Sequence, residues 1–289
     1  MKGAATTGGP LSPALLATLL LGPALLVNLA IFMLPVINLA LMSFNEARPS
    51  GGVGPGPTLS TWSILIDDPY YLELVGTSIL VAVGVTAVTL LCAYPVALFI
   101  HRAAPRWRNL LVVVCISPLL VSAVVRTYGW MVILGDSGIV AATLRAFGMA
   151  RPPRMVFNMT GVVVALVEIL MPTVILCLLA GFGRLNASVE EAAASLGAPP
   201  RKVFLRVVLP LSLPGILLGC LLSFVLTVSS FITPKLLGGG RVILLATEIY
   251  DQAIVTLNWP LAAVLSVLSL VVFGLALFLY GRLLRLVEA

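Results

Sequence analysis

Charge is what this sequence has least of. Only 10% of its 289 residues are Asp, Glu, Lys or Arg, against about a quarter in an average soluble domain. A water-soluble fold could not hide the 60% of residues that are hydrophobic, so the composition points to a bilayer. There is one histidine, His101, at the end of an apolar run, which leaves a metal site nothing to build on. The four cysteines, Cys92, Cys115, Cys177 and Cys220, each lie inside an apolar run and form no C-x-x-C pair. They read as small buried hydrophobes, with no redox or metal chemistry. No G-x-x-x-x-G-K-[ST] stretch exists, so the chain lacks that type of phosphate cradle. Clustered Asp, His or Ser-base constellations are also missing, which weighs against a membrane enzyme acting on lipid or isoprenoid substrates.

What is present is long apolar runs. A spanning helix needs about 20 mostly apolar residues, and six stretches qualify, near 14–43, 77–100, 110–134, 157–182, 211–234 and 260–281. The fold class implied is an all-α membrane protein with six transmembrane helices in one domain, 14–289, behind a flexible polar leader, 1–13. The first run exceeds a signal-peptide core of 7–15 residues and is expected to stay as an anchor. Pro23 and Pro35 within it suggest kinks that neighbouring helices tolerate.

The formal charge of +6 reads as a topology signal, because the basic residues sit in short loops between runs. Nucleic acid is not implied. With the N-terminus inside, the inner segments hold ten Lys and Arg residues and the outer ones six, which favours both termini in the cytoplasm. Outside, residues 45–60 read as a Gly/Pro loop. The stretch 135–149 reads as a short amphipathic helix capped by Asp136 or Ser137 and stopped at Gly148. Residues 238–260 read as an outer loop with an interfacial helix.

The inner loop 183–210 carries a pattern, "EEAAASLGAPPRKVFLRVVLP" from Glu190 to Pro210. Ser188 followed by Glu191 has the spacing of a capping box, which predicts a short helix over 189–196. Gly197 is its expected left-handed stop. Pro199 and Pro200 suit the first turn of a second helix, running to about Leu209, with Pro210 and Pro214 punctuating the start of the fifth span. By pattern alone this pair is either an interfacial helix pair obeying the positive-inside rule or a docking surface for a partner.

Glu191-Ala192-Ala193, three residues, Gly197, nine residues, Val207, one residue, Leu209-Pro210 resembles the EAA motif of permease subunits of binding-protein-dependent ABC importers, with Val207 where Ile is usual. The stretches 61–80, 116–134, 229–239 and 258–268 resemble the spermidine/putrescine-type branch, which also includes permeases for ferric ion, phosphonates and opines. The resemblance covers nearly the whole chain. It implies a type I importer permease in the bacterial inner membrane that takes a small solute, above all a polyamine, from an external binding protein; an amino-acid-like solute is an alternative. It implies partners: a second permease subunit of related but different sequence, two ATPase subunits that bind ATP and Mg, the binding protein, and membrane lipid. No cofactor or metal is expected on this chain. The coupling residues implied are Glu190, Glu191, Ala192, Ala193, Ser195, Leu196, Gly197 and Arg201. An energy-independent carrier or channel would not need such a docking pair.

Ionisable groups inside spans are functional candidates by default. Arg126 lies about 8 residues, roughly 12 Å, inside the outer end of span three, and Glu168 about 11 residues, roughly 16 Å, inside that of span four. They form either a structural ion pair or, for Glu168, part of a cation path. Tyr128, Trp130 and Phe231 are candidate cation-facing aromatics or members of an interfacial belt. Ser229, Ser230 and Thr233 offer neutral hydrogen-bonding groups or helix packing. Gly215 and Gly219 are a weak signal of helix contact.

Overall fold

A computed structural model describes residues 13–48, 51–185 and 187–288, so most of the expected leader lies outside the described residues. Helices dominate, and the described residues contain no strand beyond one isolated bridge between Ala47 and Val53. The first helix, α1 (Pro13–Met42), runs through both prolines and lies against the last helix with most side chains from Leu21 onward exposed. A short α2 (Ser60–Asp67) follows the Gly/Pro loop. The second span is α3 (Pro69–Arg102), eight residues longer at its start than its apolar run. Asp68 caps it by accepting from the Tyr70 amide at 2.9 Å, and Pro69 occupies the first turn, where an amide is not needed.

The third apolar run is not one helix. It divides into α4 (Pro105–Ile116), a 3-10 turn over Ser117–Leu120, and α5 (Ala123–Leu134). Val121 between them is extended, and Ser122 caps α5 by accepting from the Val124 amide at 3.3 Å. The limbs 105–120 and 123–146 meet at 95°. A spanning-length hydropathy window averages the break away, although Pro118, with Ser117 before it and Ser122 after, stands at the place. Next comes α6 (Ile139–Ala146), capped by Gly138 with no side-chain bond. That departs from the expected Asp136 or Ser137 cap. Gly148 ends it at φ +90 as expected.

The fourth span is α7 (Met159–Gly181), capped by Asn158 accepting from the Thr160 amide at 2.7 Å. The helix of the inner loop, α8 (Ala187–Ser195), begins two residues earlier than the 189–196 expected. Ser188 therefore sits inside its first turn and not at the N-cap, which overturns the capping-box reading. Then α9 (Pro200–Val203) runs through a π-turn, Phe204–Val208, directly into α10 (Leu209–Ser229). Pro210 does not interrupt it. The π-turn shifts the ladder to i→i+5, with the Leu209 amide bonding the Phe204 carbonyl, and absorbs the missing proline donor. The chain breaks at Ser230 and resumes as α11 (Ile232–Leu237). A short α12 (Leu245–Tyr250) with a following π-turn leads to α13 (Trp259–Glu288).

Helices α3, α7 and α10 pack on one another at the centre. The α7–α10 seam is set by glycine: a Cβ on Gly181 would come within 2.5 Å of the Gly215 Cα, and one on Gly219 within 3.2 Å of a Val174 methyl. In lipid, such close backbone approach replaces hydrophobic drive as the reason helices associate.

Candidate functional site

The two helix breaks, at Val121–Ser122 and at Ser230, border one cleft of about 660 Å³, lined in part by Ser122, Arg126, Thr173, Ser229 and Ser230. Irregular backbone at membrane depth is tolerated where protein buries it or a cavity receives it, so the breaks and the cleft belong together. Arg126 donates from Nη2 to Glu168 Oε1 at 2.7 Å and to the Glu168 carbonyl at 3.2 Å. Trp130 Nε1 donates to Glu168 Oε2 at 3.0 Å. Both carboxylate oxygens of Glu168 are thus engaged within the chain, and its charge faces the Arg126 guanidinium. Tyr128 points elsewhere, 54% exposed. Thr233 is buried against Thr127, their hydroxyls 3.0 Å apart. Ser229 bonds back to the Val225 carbonyl at 2.8 Å.

A second constellation forms where the start of α3 meets α11, α12 and the π-turn after it. Tyr70 donates its phenol to Glu248 Oε2 at 2.8 Å, and Gln252 donates to Oε1 at 2.7 Å. Glu248 is 7% exposed, and no cation among the described residues pairs with it. Beside it, Lys235 pairs with Asp251. The Lys235 ammonium also lies 5.8 Å from the Tyr250 ring centroid. Phe231 stacks on Tyr250 at 5.3 Å between centroids, with the rings 13° from parallel. The Phe231 and Tyr250 rings, with Ser229, line a cleft of about 380 Å³. Two carboxylates against one ammonium leave this cluster net negative.

At the far end of the bundle, α8 stands on a glycine turn. Gly197 has φ +80; its amide bonds the Ala194 carbonyl at 2.9 Å and the Ala198 amide bonds that of Ala193 at 3.2 Å. These are the two bonds of a Schellman stop. Ser195 bonds back to the Glu191 carbonyl at 2.9 Å, and Leu196 projects outward, 90% exposed. Glu191, Ala192 and Arg201 are exposed, whereas Glu190 turns toward the bundle and pairs with Arg102 at 2.7 Å.

Residues 93–285 match the family model described as binding-protein-dependent transport system inner membrane component. The chain belongs to this family. The permease is similar to the spermidine/putrescine transport system permease protein PotB of Haemophilus influenzae, 33% identical over 74% of this chain and 76% of that one. It is 32% identical to PotB of Escherichia coli over 80% of this chain and 84% of that one. Its fold matches a crystal structure of a bacterial alginate ABC transporter in complex with alginate pentasaccharide-bound periplasmic protein. The TM-score is 0.73 at 17% identity, covering 93% of this chain and 94% of that one. It is thus an inner-membrane permease subunit of an ABC importer, a transporter component and not an enzyme. Permeases of this kind work with a binding protein and ATPase subunits.

In this permease, Arg126, Trp130 and Glu168 come together, as do Ser229 and Ser230 beside them. Phe231 faces a different cleft, and Tyr128 and Thr233 join neither. Sequence reasoning missed Tyr70, Lys235, Glu248, Asp251 and Gln252. The signal available was weak: "EIYDQ" puts Glu248 and Gln252 four apart and Asp251 between them, but the partner Tyr70 lies 178 residues away.

Proposed function

We propose that this permease passes a cationic solute of the polyamine class. The observation that carries this reading is Glu248, a buried carboxylate held by two neutral donors and paired with no cation among the described residues. Buried charges are stable when paired, and a protonated amine would supply the pairing. The Tyr250 ring two residues on already receives the Lys235 ammonium at 5.8 Å, the kind of contact, worth about 0.5–2 kcal/mol, that a solute amine makes with an aromatic face. The likeness to the spermidine/putrescine permeases supports the same solute class. Glu168 is the weaker candidate for this role, since Arg126 and Trp130 already occupy it.

In this reading the α8 end faces the cytoplasm, in keeping with the Lys and Arg bias. There α8 and its turn, from Glu190 through Gly197 to Arg201, seat in an ATPase subunit. ATP and Mg bind on that subunit. The assembly comprises this chain, a second related permease, two ATPases and an external binding protein. Uptake of labelled spermidine and putrescine by proteoliposomes holding the complete assembly tests the solute class. ATP-dependent accumulation supports it; accumulation of a phosphonate or ferric ion in its place contradicts it.

A further inference from the structure

The last turn of α3 is fastened to the segment that leads into α8 at more than one point. Arg102 Nη2 meets Glu190 Oε2 at 2.7 Å. One residue earlier, the His101 ring lies edge-on to Phe182, with centroids 5.4 Å apart. Phe182 and Leu185 are themselves buried in the core made with Ile100, Leu178 and Val208. The ion pair also joins complementary helix ends. Arg102 sits in the last turn of α3 and Glu190 in the first turn of α8, where each charge opposes the local end of the helix dipole. The other end of α3, about 48 Å away at 1.5 Å per residue, bears Tyr70, the donor to Glu248.

We infer that the Arg102–Glu190 pair is the strut through which displacement of α8 moves α3 as a rod, carrying motion to the Tyr70–Glu248 cluster. Arg102 is a positioning residue here: it touches no solute and acts through α3. Glu190 and Glu191 then divide the work, the first holding the bundle and the second left free on the surface for the ATPase. The inference rests on the reading of α8 as the ATPase-docking helix.

The test uses the full assembly, with the four native cysteines replaced by alanine and a spin label at Leu72→Cys, an exposed site near the start of α3. Label mobility is compared before and after trapping with ATP and vanadate. The expected result is a clear change in the reference protein. Arg102→Glu should reduce that change at least fivefold, and Arg102→Glu with Glu190→Arg should recover at least half of it. A reference protein with no change, an undiminished change in Arg102→Glu, or no recovery in the exchanged pair would each overturn the strut. Cross-linking of Ala192→Cys to the ATPase reads docking separately. Its absence would remove the docking reading, whereas cross-linking without recovery in the exchanged pair would remove the strut alone.

Discussion

Tyr70 donates to Glu248 across 178 residues of sequence, 2.8 Å from phenol to carboxylate. This contact fixes a buried acid at the junction of α3 and α12, and no cation among the described residues pairs with it. Glu248→Gln keeps the shape and much of the hydrogen bonding while deleting the charge. Its expected effect is a loss of about tenfold in polyamine uptake, equal to about 1.4 kcal/mol, with protein level in the membrane unchanged. Labelled putrescine uptake as a function of concentration measures it. Full uptake by the variant would remove Glu248 from the path.

The Arg126–Glu168 pair makes a contrasting prediction, of stability. Arg126 is only 10% exposed, while Glu168 is 36% exposed and partly screened. Breaking a buried pair costs about 3–5 kcal/mol and an exposed one about 0–1, so Glu168→Gln should cost about 1–3 kcal/mol. Arg126→Met with Glu168→Met should be less damaging than Glu168→Gln alone, because no guanidinium is then left unpaired. The melting temperatures of the purified variants order these cases.

The α7–α10 seam predicts a steric effect. Gly181→Ala places a methyl 2.5 Å from the Gly215 Cα, whereas Gly84→Ala meets nothing within 4 Å. Gly181→Ala should lower the melting temperature through overpacking of about 1–3 kcal/mol, and Gly84→Ala should leave it unchanged. A matched thermal denaturation of the two proteins is sufficient.

Gly197 holds φ +80 with open space around its Cα. Gly197→Ala should therefore cost about 1–2 kcal/mol of backbone strain at the turn. Gly197→Asp adds a charge at the proposed docking surface as well. Uptake should fall in both, more in the second, with membrane insertion retained; immunoblotting of membranes beside the uptake assay separates the two effects.

Much of the scaffold was legible because its causes are local. Apolar length marks α1, α7 and α13, and Gly197 stops α8 where its lack of a Cβ allows. The rest depends on partners far away in sequence. The division of the third span follows from a 3-10 turn at Pro118 and the Ser122 cap, which a spanning-length hydropathy window averages into one apolar run. The run-on from α9 into α10 depends on a π-turn that accommodates Pro210, which spacing alone reads as a stop. The Glu248 cluster gathers residues from α3, α11 and α12, and no short motif announces it. Arg126 and Glu168 were legible as a pair of charges at similar depth, but the Trp130 donor that completes the carboxylate was legible only as an aromatic.

The central proposal is that a separate ATPase drives this permease through α8. ATP-dependent uptake of labelled spermidine by the reconstituted assembly carrying Glu191→Lys tests it most directly. The account predicts at least a tenfold loss of uptake, with the variant present in the membrane at the level of the unaltered protein. Uptake equal to that of the unaltered protein would contradict it.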